Sequence, residues 1–177
     1  MARLVGVPDE PGLTFEEFVR GRLPVLLRFA AVLTGDLGFA EEVVQEVFVR
    51  AHQGWGRISR ADRPDAYVRR MIVNEFLSRR RGQWRVIPVA AVRDVPDDRP
   101  DPASIYAERE ALAQELAQLP PRQRAVIVLR YYEGMSDREI AEALGCSSVT
   151  VRGYASRALA TLRVQVERDA FLLRGAC

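Results

Sequence analysis

The chain has 177 residues, 48% of them hydrophobic and 28% charged, which is too apolar for wholesale disorder. Its 26 basic residues are all arginine, against 24 acids, and the net charge of +2 neither marks nor excludes a nucleic-acid binder. No apolar run approaches the roughly 18 residues of a membrane span, residues 1–11 have no secretory pattern, Cys146 and Cys177 cannot build a disulfide framework, and His52 alone argues against a zinc site or a Ser-His-Asp triad. These features predict a cytoplasmic protein without membrane insertion, metal, cofactor or catalytic residues. The absence of lysine fits a GC-rich codon bias.

Thr14-Phe-Glu-Glu17 is a capping-box pattern, so a helix is expected to start there and run through Phe18, Leu23, Leu26, Leu27, Ala30 and Leu33 to Gly35, with Pro24 inside it. Asp36 can cap a second helix. Stepping at 100° per residue places Val44, Val47, Phe48, Ala51 and Trp55 on one stripe, and Glu42, Gln45, Glu46 and Val49 with Gln53 on the other. That second stripe is either a plain solvated face or an acidic docking face with an apolar centre, suited to a basic partner helix. Gly54-Trp-Gly56 is expected to end this helix, and Arg57–Pro64 reads as a polar connection.

A third helix is predicted from about Asp65 to Arg81, with Val68, Ile72, Val73 and Phe76 inward. Tyr67, Arg70, Asn74 and Arg81 fall within about 60° of one another on another face. They lead into Arg79-Arg80-Arg81-Gly-Gln-Trp84-Arg85. Guanidiniums neutralise phosphates, aromatic rings stack on unpaired bases, and an amide can read a base edge. The alternative is a basic helix end that satisfies its own dipole. Aromatic interleaving favours single-stranded nucleic acid.

Charge then reverses. Residues 13–87 carry +4, residues 88–110 carry −3 and residues 111–177 carry +2. Residues 88–102 are rich in proline and aspartate without helical periodicity, and read as an extended acidic linker. The organisation expected is all-α: a three-helix domain over 13–87, the linker over 88–102 and a helix-turn-helix domain over 103–165.

In the last block an alanine-rich helix over 103–118 is broken at Leu119-Pro-Pro121, and the next carries Ala125, Val126, Ile127, Leu129 and Tyr131 up to Gly134. Ser136-Asp-Arg-Glu139 is a second capping box, opening a short helix with Ile140, Ala141 and Leu144 inward and Gly145 at its end. Cys146-Ser147-Ser148 caps a final helix that is expected to reach about Leu162. Two short capped helices around a glycine turn are the helix-turn-helix signature. Val151, Ala155, Ala158 and Leu162 form the inner stripe of the last helix, flanked by Leu159. Ser148, Thr150, Arg152, Gly153, Ser156 and Arg157 are the candidates for duplex DNA, because small outward residues let a helix sit deep in the major groove. A helical hairpin with a merely polar outer face is the alternative.

Phe39-Ala-Glu-Glu-Val-Val-Gln-Glu-Val-Phe-Val-Arg-Ala51, followed by the Arg69–Arg81 helix, resembles the second conserved region of bacterial RNA polymerase sigma factors. Leu119-Pro-Pro-Arg-Gln-Arg124 and Tyr131-Tyr-Glu-Gly-Met-Ser-Asp-Arg-Glu-Ile-Ala-Glu-Ala-Leu-Gly145 resemble the fourth. Two such regions with a short linker resemble the extracytoplasmic-function (ECF) group over about residues 13–165. The resemblance implies that Glu42, Gln45, Glu46 and Val49 dock on the clamp helices of the largest subunit of core RNA polymerase. It implies promoter melting and single-strand capture by Tyr67, Arg70, Asn74, Arg79, Arg80, Arg81 and Trp84, and duplex recognition by the helix-turn-helix, with the flap region of the polymerase and an anti-sigma factor as further partners. The linker resembles the segment that threads the RNA-exit path. Many relatives have tryptophan where Tyr67 stands and glycine where Val149 stands, so promoter sequence does not carry over. A stand-alone helix-turn-helix regulator and an RNA-binding adaptor are the readings from other classes.

Overall fold

The computed structural model describes residues 13–81 and 112–174, from residue 164 onward by backbone alone. The acidic linker, Trp84, Arg85, the start of the helix expected over 103–118, and Cys177 lie outside the described residues.

Helix α1, Phe15–Thr34, starts on the expected capping box: the Thr14 hydroxyl accepts from the Glu17 backbone N–H while the Glu17 carboxylate accepts from the Thr14 backbone N–H. Gly35 ends it at φ 73°, a left-handed conformation that a Cβ would strain. Asp36 caps α2, Leu37–Gln53, by accepting from the Phe39 N–H at 2.6 Å. A one-turn helix, α3, Trp55–Ile58, runs from the expected stop at Gly54-Trp-Gly56 into the expected polar connection, with Ile58 buried. Trp55 is held by Phe15 and Phe18 and donates its indole N–H to the Leu13 carbonyl at 2.8 Å. The first half therefore has this extra turn beside the three helices expected. Helix α4, Pro64–Arg79, opens with proline in its first turn, where a missing N–H costs nothing.

The second half has α5 over residues 112–117, α6 (Pro121–Ile127), α7 (Asp137–Leu144) and α8 (Ser148–Arg174). Between α6 and α7, Val128–Tyr132 forms a widened π turn, with the Glu133 N–H bonded to the Val128 carbonyl at 3.2 Å. Tyr131, placed with the apolar set of that helix by sequence, lies within this turn and is 61% exposed. Two other expectations also shift. Leu23 faces solvent on α1, and α8 continues well past Leu162 to Arg174.

Packing follows the stripes. Leu26, Phe29, Ala30 and Leu33 of α1 meet Ala40, Val43, Val44 and Val47 of α2 and Val68, Ile72 and Phe76 of α4, all buried. Removing a side chain such as Phe29 or Phe76 from water stabilises the fold by about 1.5–3 kcal/mol each. Ile140 and Leu144 of α7 close on Val151 and Ala155 of α8. The two halves share contacts: Val32 packs on the Leu116, Leu119, Ile127 and Ala158 cluster, and the Arg69 guanidinium lies 3.0 Å from the Glu133 carboxylate. Burial pushes the Glu133 carboxyl above its ordinary range, against the pull of Arg69.

Candidate nucleic-acid and docking interfaces

Helix α2 has two faces of opposite character. Val43, Val44, Val47 and Ala51 are buried, which leaves Glu42, Gln45, Glu46 and Val49 on the surface together. Val49 is 57% exposed, an apolar spot in an acidic rim. It also borders a shallow groove formed with Phe15, Val19, Phe48 and His52, whose imidazole packs 4.9 Å from the Phe15 ring.

Helix α4 buries Val68, Ile72, Val73 and Phe76 and leaves Arg70 and Asn74 exposed, with Arg81 exposed just beyond its end. Tyr67 is half-buried. Its hydroxyl accepts from Arg57 Nη2 at 3.0 Å, and the same guanidinium lies 5.9 Å from the ring centroid. Arg57 therefore belongs to this face, although sequence placed it in a connection; an arginine ten residues from a tyrosine carries no periodic signal. The arginines of the basic run have different surroundings. Arg80 is half-buried with its guanidinium 4.7 Å from the Phe39 ring centroid.

Arg79 turns toward α2. Its Nε donates to Glu75 Oε1 at 2.6 Å, one turn back, and its Nη1 reaches Glu42 Oε2 at 3.2 Å. Arg50 donates from Nη2 to the other Glu75 oxygen at 2.6 Å and approaches Glu46 at 3.7 Å. Glu75, only 13% exposed at its side chain, is thus the centre of a chain running Glu42–Arg79–Glu75–Arg50–Glu46. Burial alone would raise its pKa, but the two guanidiniums more than offset this and hold its carboxyl below the ordinary carboxylate range. Glu75 was not singled out from sequence; the signal available was its spacing of four from Arg79.

The helix-turn-helix forms as its caps dictate. Ser136 and Glu139 make the reciprocal box, Gly145 turns the chain at φ 62°, and the Ser147 hydroxyl accepts from the Thr150 N–H at 3.1 Å. Cys146 is a free thiol packed against the core in this turn. On α8, Val151, Ala155 and Ala158 are buried while Val149, Arg152, Ser156 and Arg157 are exposed, with Ser148, Thr150 and Gly153 between. The Arg157 guanidinium lies 5.3 Å from the Tyr154 ring centroid, which orients it along the outer face. Among the described residues no group of three or more His, Cys, Asp or Glu could hold a metal ion, and no helix is long and apolar enough to cross a membrane.

Comparison with known proteins bears on both halves. A family model described as Sigma-70 region 2 matches residues 18–86, and one described as Sigma-70, region 4 matches residues 109–162. The chain is 39% identical over 160 residues to an RNA polymerase sigma-E factor of Streptomyces avermitilis, covering 88% of this chain and 86% of that one. It is 33% identical over 174 residues to the ECF RNA polymerase sigma factor SigL of Mycobacterium tuberculosis, covering 94% and 97%. The chain belongs to the ECF sigma factors. The fold agrees with that of the sigma factor RpoE of Bartonella quintana, solved in complex with the anti-sigma factor NepR, at a TM-score of 0.66, 22% identity and coverage of 86% of this chain and 96% of that one. None of these relatives is named as an enzyme. In this sigma factor the region 2 match takes in α2–α4 and most of α1, and the region 4 match takes in α5–α7 and the first half of α8.

Proposed function

We propose that this ECF sigma factor binds core RNA polymerase and directs it to promoters, with each step assigned to one of the faces above. Glu42, Gln45, Glu46 and Val49 dock on the clamp helices of the largest subunit, an acidic rim around an apolar centre meeting a basic helix. Tyr67, Arg70 and Asn74, with Arg79–Arg81 and Trp84, capture the unpaired strand by stacking and phosphate neutralisation. Ser148, Thr150, Arg152, Gly153, Ser156 and Arg157 read the upstream element as duplex, and the region around them meets the polymerase flap. Residues 13–87 and 103–165 act as two functional modules, packed on one another in the free chain and joined by residues 88–102. The protein works in the cytoplasm and adds no catalysis of its own. It is held inactive by an anti-sigma partner, a reading supported by the capture of its relative RpoE of Bartonella quintana in complex with the anti-sigma factor NepR.

The observation that carries this reading is the order of the two family matches, region 2 then region 4, on helices whose outward faces differ in chemistry. A stand-alone regulator would need no acidic α2 face and no exposed Arg70–Asn74 face. Mixing the chain with core polymerase and measuring complex formation and transcription from a candidate promoter tests it. A stable complex and promoter-dependent transcripts are expected; no complex with core refutes the reading.

A further inference from the structure

The proposed docking face and the proposed single-strand face are joined by a chain of ion pairs. Arg79, assigned to nucleic acid, commits its guanidinium to Glu42, assigned to polymerase, and to Glu75, assigned to neither. We propose that Glu75 positions Arg79 against Glu42 so that polymerase docking and single-strand capture are coupled: a basic helix that takes Glu42 and Glu46 releases Arg79 to a phosphate. This rests on the roles proposed above for Glu42 and Arg79.

The physical case is competition for one carboxylate. Glu42 is 67% exposed at its side chain and so accessible to a partner, whereas Glu75 is 13% exposed and stays with the protein. In the free chain Arg79 is shared between the two carboxylates, with Glu46 adding to the field that holds its proton. A polymerase cation on Glu42 cancels one of these attractions, and Arg79 then keeps Glu75 as a hinge while its Nη atoms turn outward. Glu46 communicates through Arg50, which sits between it and the other oxygen of Glu75. Because binding linkage is reciprocal, a phosphate that draws Arg79 away also frees Glu42 for polymerase by the same factor. The pair is largely solvent-screened, so that factor is modest, roughly two- to fivefold.

The test uses the full-length chain and a fluorescein-labelled, mixed-sequence single-stranded DNA read by anisotropy. Glu42→Gln is expected to tighten DNA binding by the free chain roughly two- to fivefold. Glu41→Gln removes the same charge from an exposed position beside it on α2 and should change binding less. In an Arg79→Gln background the Glu42→Gln gain should vanish, and Glu75→Gln should weaken the dependence of DNA binding on Arg79. Equal gains from Glu41→Gln and Glu42→Gln, or a Glu42→Gln gain that survives in Arg79→Gln, would overturn the coupling as mere loss of negative charge. With core polymerase, saturating single-stranded DNA should tighten complex formation by the wild type more than by Arg79→Gln. Equal tightening in both overturns the coupling while leaving the sigma-factor reading intact, whereas failure of the wild type to bind core refutes that reading itself. Helix content of every variant by circular dichroism separates unfolding from uncoupling.

Discussion

Arg124 Nη1 donates to the Thr34 carbonyl at 2.8 Å, so a guanidinium from the second half of the chain caps the C-terminus of the first helix. It reaches Leu33 O at 3.4 Å from the same nitrogen, and Ala117 O at 2.5 Å and Leu119 O at 3.4 Å from Nη2. Helix α1 has no basic residue in its last turn, and the carbonyls there carry the negative end of its dipole. Arg124 supplies the missing charge from 90 residues away. It is 7% exposed and its partners are carbonyls, with the Phe76 ring beside it. Burial, and secondarily the charge of Arg80, lowers its pKa to about 10, which leaves it a cation at neutral pH.

Arg124→Met keeps the bulk and removes the donors, leaving buried carbonyls unpaired. A loss of roughly 2–4 kcal/mol in urea unfolding is expected, since each orphaned buried polar group costs about 1–3 kcal/mol. Arg124→Lys should recover only part of it, because one ammonium cannot serve the fork of carbonyls. Small-angle scattering should show the Met variant more extended if the link between halves is lost before the helices are. Unchanged stability and dimensions would show that the contacts contribute nothing.

The Glu75 network predicts a defined pH response. Its carboxyl is held below the ordinary range in the folded chain, so its stabilisation is complete above that range and disappears as pH falls through the depressed value. The melting temperature of wild type should exceed that of Glu75→Gln at neutral pH, and the gap should close in acid. A gap independent of pH would mean that Glu75 acts by packing alone.

Ser136→Ala removes the side-chain acceptor for the Glu139 N–H and should cost about 1 kcal/mol. Gly145→Ala forces a Cβ into the left-handed turn at φ 62° and should cost about 1–2 kcal/mol. Both are expected to weaken duplex binding only through stability, so that binding recovers at lower temperature. Loss of binding with unchanged stability would instead place these residues in contact with DNA.

Arg152→Ala and Arg157→Ala should weaken duplex binding and reduce the slope of log K against log salt by about one each if they contact phosphate. A sequence-selective loss with an unchanged slope would assign the residue to a base edge. Salt titration on matched and mismatched duplexes separates the two.

Most of the local architecture was legible in the chain itself. Both capping boxes, the Asp36 cap, the glycine stops at Gly35 and Gly145, and the inward stripe of α4 depend on residues within a few positions of one another, so spacing reveals them. The exposed set Glu42, Gln45, Glu46 and Val49 follows from one rotation angle for the same reason. Spacing is a poorer guide where a helix departs from its regular period, and the exposed Tyr131 lies in such a stretch, the π turn at Val128–Tyr132.

Tertiary structure decided which charges meet. Arg79, Arg80 and Arg81 are neighbours in sequence, yet one pairs with Glu42, one lies over Phe39 and one faces solvent. Long arginine side chains choose among partners by whichever carboxylate, ring or carbonyl the packing of separate helices brings within reach, and periodicity holds no record of that. The sequence alone determined that two helical units with acidic and basic faces would form. Packing alone decided that Arg124 caps α1 and that Glu75 joins the two faces of the first unit, because both contacts require helices distant in the chain to lie side by side.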